Sequence, residues 1–141
     1  MKNKKMAIPE NASIWKSEVR GYEIDIQGIV NNANYFHYFD HARVLYLLSK
    51  GVDWADWHRN GFNIVLIHSD FSIKSSLIEN DAFYVTSEVT REGKLRIRFN
   101  QQIYRESDHK LIAEAINTVV CVSLQTNKPV MPTELASRLF D

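Results

Sequence analysis

The sequence predicts an α+β domain in which one antiparallel sheet curls around a single long helix. Residues 33–50 are apolar at helical spacing on almost every side. After Gly61 come four segments rich in Val, Ile, Thr, Tyr and Phe, the residues typical of strands, and short polar breaks separate them. A chain of 141 residues has the length of one domain. Wrapping the sheet around the helix is the simplest way to bury both.

The long helix is predicted over residues 33–50. One stripe of its surface is apolar: Tyr35, Tyr38, Phe39, Ala42, Leu45 and Tyr46. The opposite side is only partly polar, so we expect protein to cover most of the helix. Asn31 and Asn32 are suitable N-cap residues, and Gly51 is suited to follow the last turn.

Five strands are predicted, at residues 14–23, 64–73, 82–90, 95–104 and 111–124. The breaks between the last four are short enough for antiparallel hairpins, whereas parallel neighbours would need long crossovers. A short terminal helix is predicted over residues 133–139, with Thr133 as its cap. Residues 1–12 are polar, and we expect them to be flexible.

Composition excludes several classes of function. Lys plus Arg and Asp plus Glu number 17 each, so no global charge attracts the chain to nucleic acid or to an anionic membrane. A single cysteine, Cys121, excludes an intrachain disulfide and suits a reducing compartment. No signal peptide is evident, and no apolar stretch reaches the length of about 18 residues that spans a bilayer. We therefore expect a cytoplasmic protein without a nucleic-acid or membrane partner.

The most informative segment runs from Asp25 through Gly28 to the start of the helix at Asn32. The first N–H groups of a helix lack internal partners, and the helix dipole is positive there, so this end can stabilise an oxyanion. A carboxylate seven residues before Asn32 could act on the same carbonyl as nucleophile or general base. Alternatively, Asp25 is only a turn residue and the asparagines are only caps. The spacing alone leaves both interpretations open.

A longer motif narrows the choice. The run Asp25-x-x-Gly28-Ile-Val-Asn-Asn-Ala-x-Tyr35, followed by Tyr38-x-Asp40-x-Ala42-Arg43, closely resembles the opening motif of the 4-hydroxybenzoyl-CoA-type hot-dog thioesterases. Weaker similarities follow at Ser69-Asp70-Phe71, Asn80-Asp81, Gly93-Lys94 and Lys128-Pro129-x-x-Pro132. Together they cover residues 15–135.

The resemblance implies a hot-dog fold, with a five-stranded antiparallel sheet wrapped around the helix, and hydrolysis of an acyl-CoA thioester to free acid and coenzyme A. Asp25 matches the catalytic aspartate of the family. Asn32 stands where a backbone N–H polarises the thioester carbonyl, and Gly28 and Ala33 flank that position in the substrate-binding segment. The family needs no metal or redox cofactor. Its subunits pair through their sheets with the site across the interface, so a homodimer or homotetramer is expected.

The sequence departs from the family at some positions. Asn32 replaces an aromatic residue of the hydroxybenzoyl enzymes, so their acyl specificity does not transfer. Asp40 and Arg43 match the helix motif, and we interpret them as a structural ion pair. Two alternatives stay open: a hot-dog hydratase or dehydratase, and a non-catalytic acyl-thioester-binding module. A hydratase would need a histidine beside its acid, and no histidine lies between Ser13 and Phe36.

Two further patterns of charged and polar residues stand out in the sequence. His37 and His41 flank Asp40 with a spacing similar to that of inverted zincins, but no third ligand is evident, so we expect packing and no metal site. Lys94, Arg96 and Arg98 alternate with apolar residues and should share one face of a strand. That basic stripe is either a solvated outer face or a rim that binds the phosphates of coenzyme A.

Overall fold

The computed structural model describes residues 13–141, and the segment predicted to be flexible, residues 1–12, lies outside the described residues. The strands are β1 (Ser13–Glu18), β2 (Phe62–Ile73), β3 (Ala82–Glu92), β4 (Arg96–Arg105), β5 (Leu111–Ser123) and β6 (Lys128–Val130). The helices are α1 (Asn32–Ser49), α2 (Trp54–Arg59) and α3 (Thr133–Phe140), with a 3-10 turn at Gly21–Glu23.

All strand pairs are antiparallel, in the order β1-β3-β4-β5-β2, and β6 adds to β5. The four long predicted strands are confirmed, and so are the hairpins that join β3 to β4 and β4 to β5. The predicted hairpin between β2 and β3 is wrong, because β2 pairs with β5 on the other side of the sheet. The predicted count of five becomes six, because the chain turns back after β5 and pairs Lys128 with Ser123. β2 and β1 form the two edges of the sheet.

Helix α1 packs on the inner face of the curled sheet. Its N-terminal half joins one buried cluster with residues of β3 and β5, and its C-terminal half joins a second cluster with residues of β4 and α3. The helix begins and ends within one residue of the predicted bounds. Asn31 is its N-cap, with its side chain accepting a hydrogen bond from Ala33 N, whereas Asn32 is the first helical residue. Gly51 follows with φ +79°, as a left-handed residue after a helix does.

The N-terminal region differs from prediction. β1 stops at Glu18, not at residue 23, because the chain tightens into the 3-10 turn and the side chain of Glu23 turns inward. Helix α2, capped by Asp53, was not predicted. Helix α3 starts at Thr133, but its cap position is Pro132, so the predicted cap is wrong.

The expectation that protein covers most of α1 holds for one side only. Phe36 and Leu48 are 42% and 46% exposed, and His37, Asp40 and His41 are also exposed. One flank of the helix is therefore open in the single chain. In the described part of the chain, no helix is long and apolar enough to cross a membrane.

Candidate active site

A tight turn presents Asp25 immediately before α1. Asp25 Oδ1 accepts from Gln27 N at 2.8 Å and more weakly from Ile29 N at 3.5 Å, and Gly28 N donates to Asp25 O at 3.0 Å. Gly28 has φ +82°, a conformation that glycine adopts without strain. A Cβ at Gly28 would meet no described atom within 4 Å, so backbone conformation, and not close packing within the chain, requires this glycine. The turn fixes one carboxylate oxygen of the half-buried Asp25.

The turn is joined to the helix by backbone contacts on both sides. Ile24 and Val30 form an isolated antiparallel bridge that closes the loop around Asp25. Val30 N donates to Leu77 O at 2.9 Å, and Asn31 N donates to Glu23 O at 2.9 Å. Asp25 and the first turn of α1 are thus parts of one hydrogen-bonded unit.

The backbone N–H groups at the amino end of α1 differ in whether they have a hydrogen-bond acceptor. Ala33 N donates to the Asn31 side chain at 2.9 Å, and Asn34 N donates to Asn31 O at 2.8 Å. Asn32 N is the first-turn amide for which residues 13–141 provide no acceptor, and Asn32 is exposed. Of the three predicted substrate-binding residues, Gly28 and Ala33 have their N–H groups occupied, and Asn32 alone offers a free donor at the positive end of the helix.

The hydroxyl of the buried Tyr35 has a raised pKa. Burial raises the pKa of Tyr35, a hydrogen bond from Leu77 N and the charge of Arg105 oppose the rise, and the Asp25 carboxylate adds to it. Tyr35 also accepts from Leu77 N at 3.2 Å, so its ring is fixed under the first turn of α1. The Tyr35 ring therefore joins the first turn of α1 to Leu77.

Asp40 and Arg43 form the predicted ion pair, with 3.1 Å between Arg43 Nη2 and Asp40 Oδ1. Arg43 is buried, and burial lowers the pKa of its guanidinium, although Asp40 opposes this. The second arm of the guanidinium donates to Gln101 Oε1 at 3.1 Å. The pair therefore ties the exposed side of α1 to the core.

The basic stripe is only partly as predicted. Arg96 and Arg98 lie on β4 and alternate with the buried Ile97 and Phe99, which face α1, so both cations are on the outer face of the sheet. They line a groove of about 430 Å³ together with Ile67, His68, Asp70, Glu92, Ile116 and Thr118. Lys94 lies in the turn before β4 and does not share that strand face. Asp25 is not among the residues that line this groove, and it precedes α1, which packs on the inner face of the sheet.

The two helix histidines have ordinary surroundings. His37 Nδ1 lies 3.4 Å from Asn34 Oδ1, and the ring of His41 meets Trp15 edge-on with 4.7 Å between centroids. Within residues 13–141, no group of three or more His, Cys, Asp or Glu residues is arranged to hold a metal ion.

Glu23 is a buried carboxylate that no sequence pattern singled out. Its side chain is 7% exposed and accepts from Tyr38 Oη at 2.8 Å and from Arg20 N at 2.9 Å. The available signal was its place two residues before Asp25, next to a helix stripe that includes Tyr38.

A model of the Thioesterase-like superfamily matches residues 19–139. The chain belongs to this family. The long-chain acyl-CoA thioesterase FadM of Escherichia coli is 31% identical to it over 125 residues, which are 86% of this chain and 92% of FadM. The chloroplastic acyl-acyl carrier protein thioesterase ATL3 of Arabidopsis thaliana is 28% identical over 121 residues, 86% of this chain and 64% of the relative.

Solved structures confirm the hot-dog fold. Slr0204 of Synechocystis, a 1,4-dihydroxy-2-naphthoyl-CoA thioesterase, superposes with a TM-score of 0.85 over 92% of this chain and 96% of its own, at 18% identity. At that identity the likeness shows the fold, and the chemistry must be argued from the residues of this chain.

Proposed function

We propose that this protein hydrolyses acyl-CoA thioesters to the free acid and coenzyme A. The observation that carries the proposal is that one hydrogen-bonded unit holds a half-buried carboxylate, Asp25, and the backbone N–H of Asn32, for which residues 13–141 provide no acceptor. Membership of the thioesterase family supports the reaction type. The similarity to FadM supports coenzyme A as the carrier.

In this proposal the thioester carbonyl oxygen accepts a hydrogen bond from Asn32 N, where the helix dipole stabilises the negative charge that develops on it. As general base, Asp25 takes a proton from a water molecule whose oxygen bonds to the carbonyl carbon. As nucleophile, Asp25 bonds to that carbon itself, and water then hydrolyses the acyl-aspartate. In both routes the C–S bond breaks, and coenzyme A leaves with the electron pair and is protonated.

Asp25→Asn should fold normally and lose roughly 100-fold or more of kcat, the usual contribution of a positioned base. The amide oxygen can still accept from Gln27 N, so the turn is kept. Thiol release from acyl-CoA measures the loss. Asp53→Asn is the matched control, because Asp53 Oδ1 also accepts from the backbone N–H two residues on, at Ala55. An Asp25→Asn enzyme with more than about a third of the wild-type rate would contradict the mechanism.

Asn32→Pro should lose roughly 100- to 1,000-fold of kcat, the cost of removing one oxyanion donor. Proline deletes this N–H and little else, because the first helical position favours proline. Asn31, with φ −62° and ψ 134°, already has the conformation that a residue before proline needs.

Asn32→Ala is the control for that variant, since it keeps the N–H and should keep most of the rate. Circular dichroism checks that both variants are folded. Equal kcat in the proline and alanine variants would show that Asn32 N does not contact the reacting oxygen.

We also propose that the active form is a homodimer or homotetramer. The edge strand β2 exposes Val65, Leu66, Ile67 and Ile73, by 39–46% each, and α1 exposes Phe36 beside it. An unpaired apolar edge favours pairing with a second copy. Pairing would also cover the open flank of α1, next to the proposed site.

Light scattering of the active protein should therefore give two or four times the chain mass of 16.4 kDa. An active species with the mass of one chain would contradict the assembly. That result would not contradict the proposed roles of Asp25 and Asn32.

The proposed coenzyme A rim is the pair Arg96 and Arg98. Because exposed charge contacts contribute about 0.5–1 kcal/mol each, Arg96→Ala with Arg98→Ala should raise KM for acyl-CoA by roughly 5- to 30-fold and leave kcat nearly unchanged. High salt should reduce the effect. An acyl-pantetheine thioester, which lacks the nucleotide, should be hydrolysed equally by both enzymes. Lys74→Ala, an exposed cation paired with Glu114, is the control.

The same KM defect on the truncated thioester would assign the stripe to folding or assembly. Arg96 and Arg98 are on the outer face of the sheet, whereas Asp25 precedes the helix that packs on the inner face. In this proposal the nucleotide therefore extends around the sheet edge to the stripe, or contacts the stripe of a second subunit.

The proposed location is the cytoplasm. The single cysteine, Cys121, is buried, and burial raises the pKa of its thiol to about 11, so it is protonated and unreactive at neutral pH. A chain without disulfides suits a reducing compartment.

No contact among residues 13–141 joins a histidine to Asp25, so no observation favours the hydratase alternative.

A further inference from the structure

Glu23 is a buried carboxylate that the proposed mechanism does not use. The residue is 6% exposed. Its Oε1 accepts from Tyr38 Oη at 2.8 Å and from Arg20 N at 2.9 Å, and its Oε2 lies 3.4 Å from Arg20 Nη1. A buried carboxylate is stable only with such partners, and each of these contacts joins Glu23 to a neighbouring part of the chain.

The backbone of Glu23 holds the first turn of α1. Glu23 O accepts from Asn31 N at 2.9 Å and from Asn34 Nδ2 at 3.1 Å. Its side chain holds the second turn through Tyr38. Glu23 thus binds both the first and the second turn of α1. It lies two residues before Asp25, on the segment that leads into the Asp25 turn.

The Tyr38 side chain is held firmly in the core, so it can fix the position of the Glu23 carboxylate. Tyr38 is 3% exposed. Its ring centroid lies 4.5 Å from that of Phe83 and 6.3 Å from that of Trp15. Burial raises the pKa of Tyr38, and the hydrogen bond to Glu23 and the charge of Glu23 raise it further, so the hydroxyl remains a donor. The ring cannot shift without disturbing the core, so the position of Oη fixes the position of the Glu23 carboxylate.

We propose that Glu23 and Tyr38 are positioning residues that set the distance and angle between the Asp25 carboxylate and Asn32 N. This inference rests on the proposed function, because it assumes that these two groups act on one thioester. The hydroxyl–carboxylate bond fixes the chain just before Asp25 to the helix whose first N–H binds the oxyanion. A displacement of about 1 Å between reacting groups can cost 100-fold in rate without any loss of substrate contacts.

The test is Tyr38→Phe, which removes one hydroxyl and keeps the ring. The matched control is Tyr46→Phe on the same helix, since Tyr46 is 1% exposed and its ring packs edge-on against Phe99 with 5.6 Å between centroids. Both variants lose a phenolic hydroxyl from a buried ring, but only the Tyr38 hydroxyl contacts Glu23. We expect kcat to fall roughly 10- to 100-fold in Tyr38→Phe with KM nearly unchanged, and to stay near wild type in Tyr46→Phe, with the melting temperature measured for both variants.

A double variant shows whether the two residues act as one unit. Glu23→Leu removes the oxygen that accepts from Tyr38 and keeps a side chain of similar size. If both residues act through the same bond, Glu23→Leu with Tyr38→Phe should lose no more kcat than the more damaging single variant. Losses that multiply would overturn the inference, as would equal kcat losses in Tyr38→Phe and Tyr46→Phe.

Failure of this inference is distinguishable from failure of the proposed function. If Asp25→Asn is inactive and Tyr38→Phe has wild-type kcat, the site stands and the positioning role is wrong. If Asp25→Asn remains active, the site itself is wrong, and the positioning role falls with it.

Discussion

The position of α1 on the sheet depends on one buried amide. Gln101, fully buried on β4, donates to Phe39 O at 3.1 Å and to Ser87 Oγ on β3 at 2.9 Å. Its oxygen accepts from Asn117 Nδ2 on β5 at 2.8 Å and from Arg43 Nη1 at 3.1 Å. A single side chain therefore joins the middle of the helix to three strands. Apolar packing tolerates small slips along the helix axis, whereas this network is satisfied in one register only, because a slip would leave buried donors and acceptors unpaired.

That register determines where the helix begins, and therefore where the proposed chemistry can occur. The network crosses the interior between the two apolar clusters, so each half of α1 packs against its own part of the sheet. Towards the amino end, Glu23 and Tyr38 add the second fixed point. With the helix held at its middle and in its second turn, Asn32 N has little freedom relative to the turn that carries Asp25. Preorganised donors of this kind avoid reorganisation during reaction, which is how oxyanion sites stabilise transition states.

Much of this arrangement follows from local sequence. Helix α1, its Asn31 cap, the Gly28 turn and the long hairpins depend on periodicity, capping and turn chemistry, which short segments encode. The features that the sequence did not predict depend on contacts between distant residues. Glu23 was assigned to a strand, but its burial requires Tyr38, fifteen residues later. Gln101 shares a strand face with Ile97, Phe99 and Ile103, so its burial was readable from alternation, but its partners on β3, β5 and α1 were not. Helix α2 is too short to show a period.

Two carboxylates separated by one residue have opposite roles in this structure, and their surroundings explain the division. Glu23 is buried with both oxygens engaged, so it has no lone pair exposed to a substrate. Asp25 is half-buried, and only its Oδ1 has donors among residues 13–141. Its Oδ2 is left to face water or a thioester. Exchange of the two roles would require the Asp25 turn to fold inward, which the Ile24–Val30 bridge and the left-handed Gly28 prevent. The residue available for reaction is therefore set by the fold around it, and the buried neighbour makes that fold rigid.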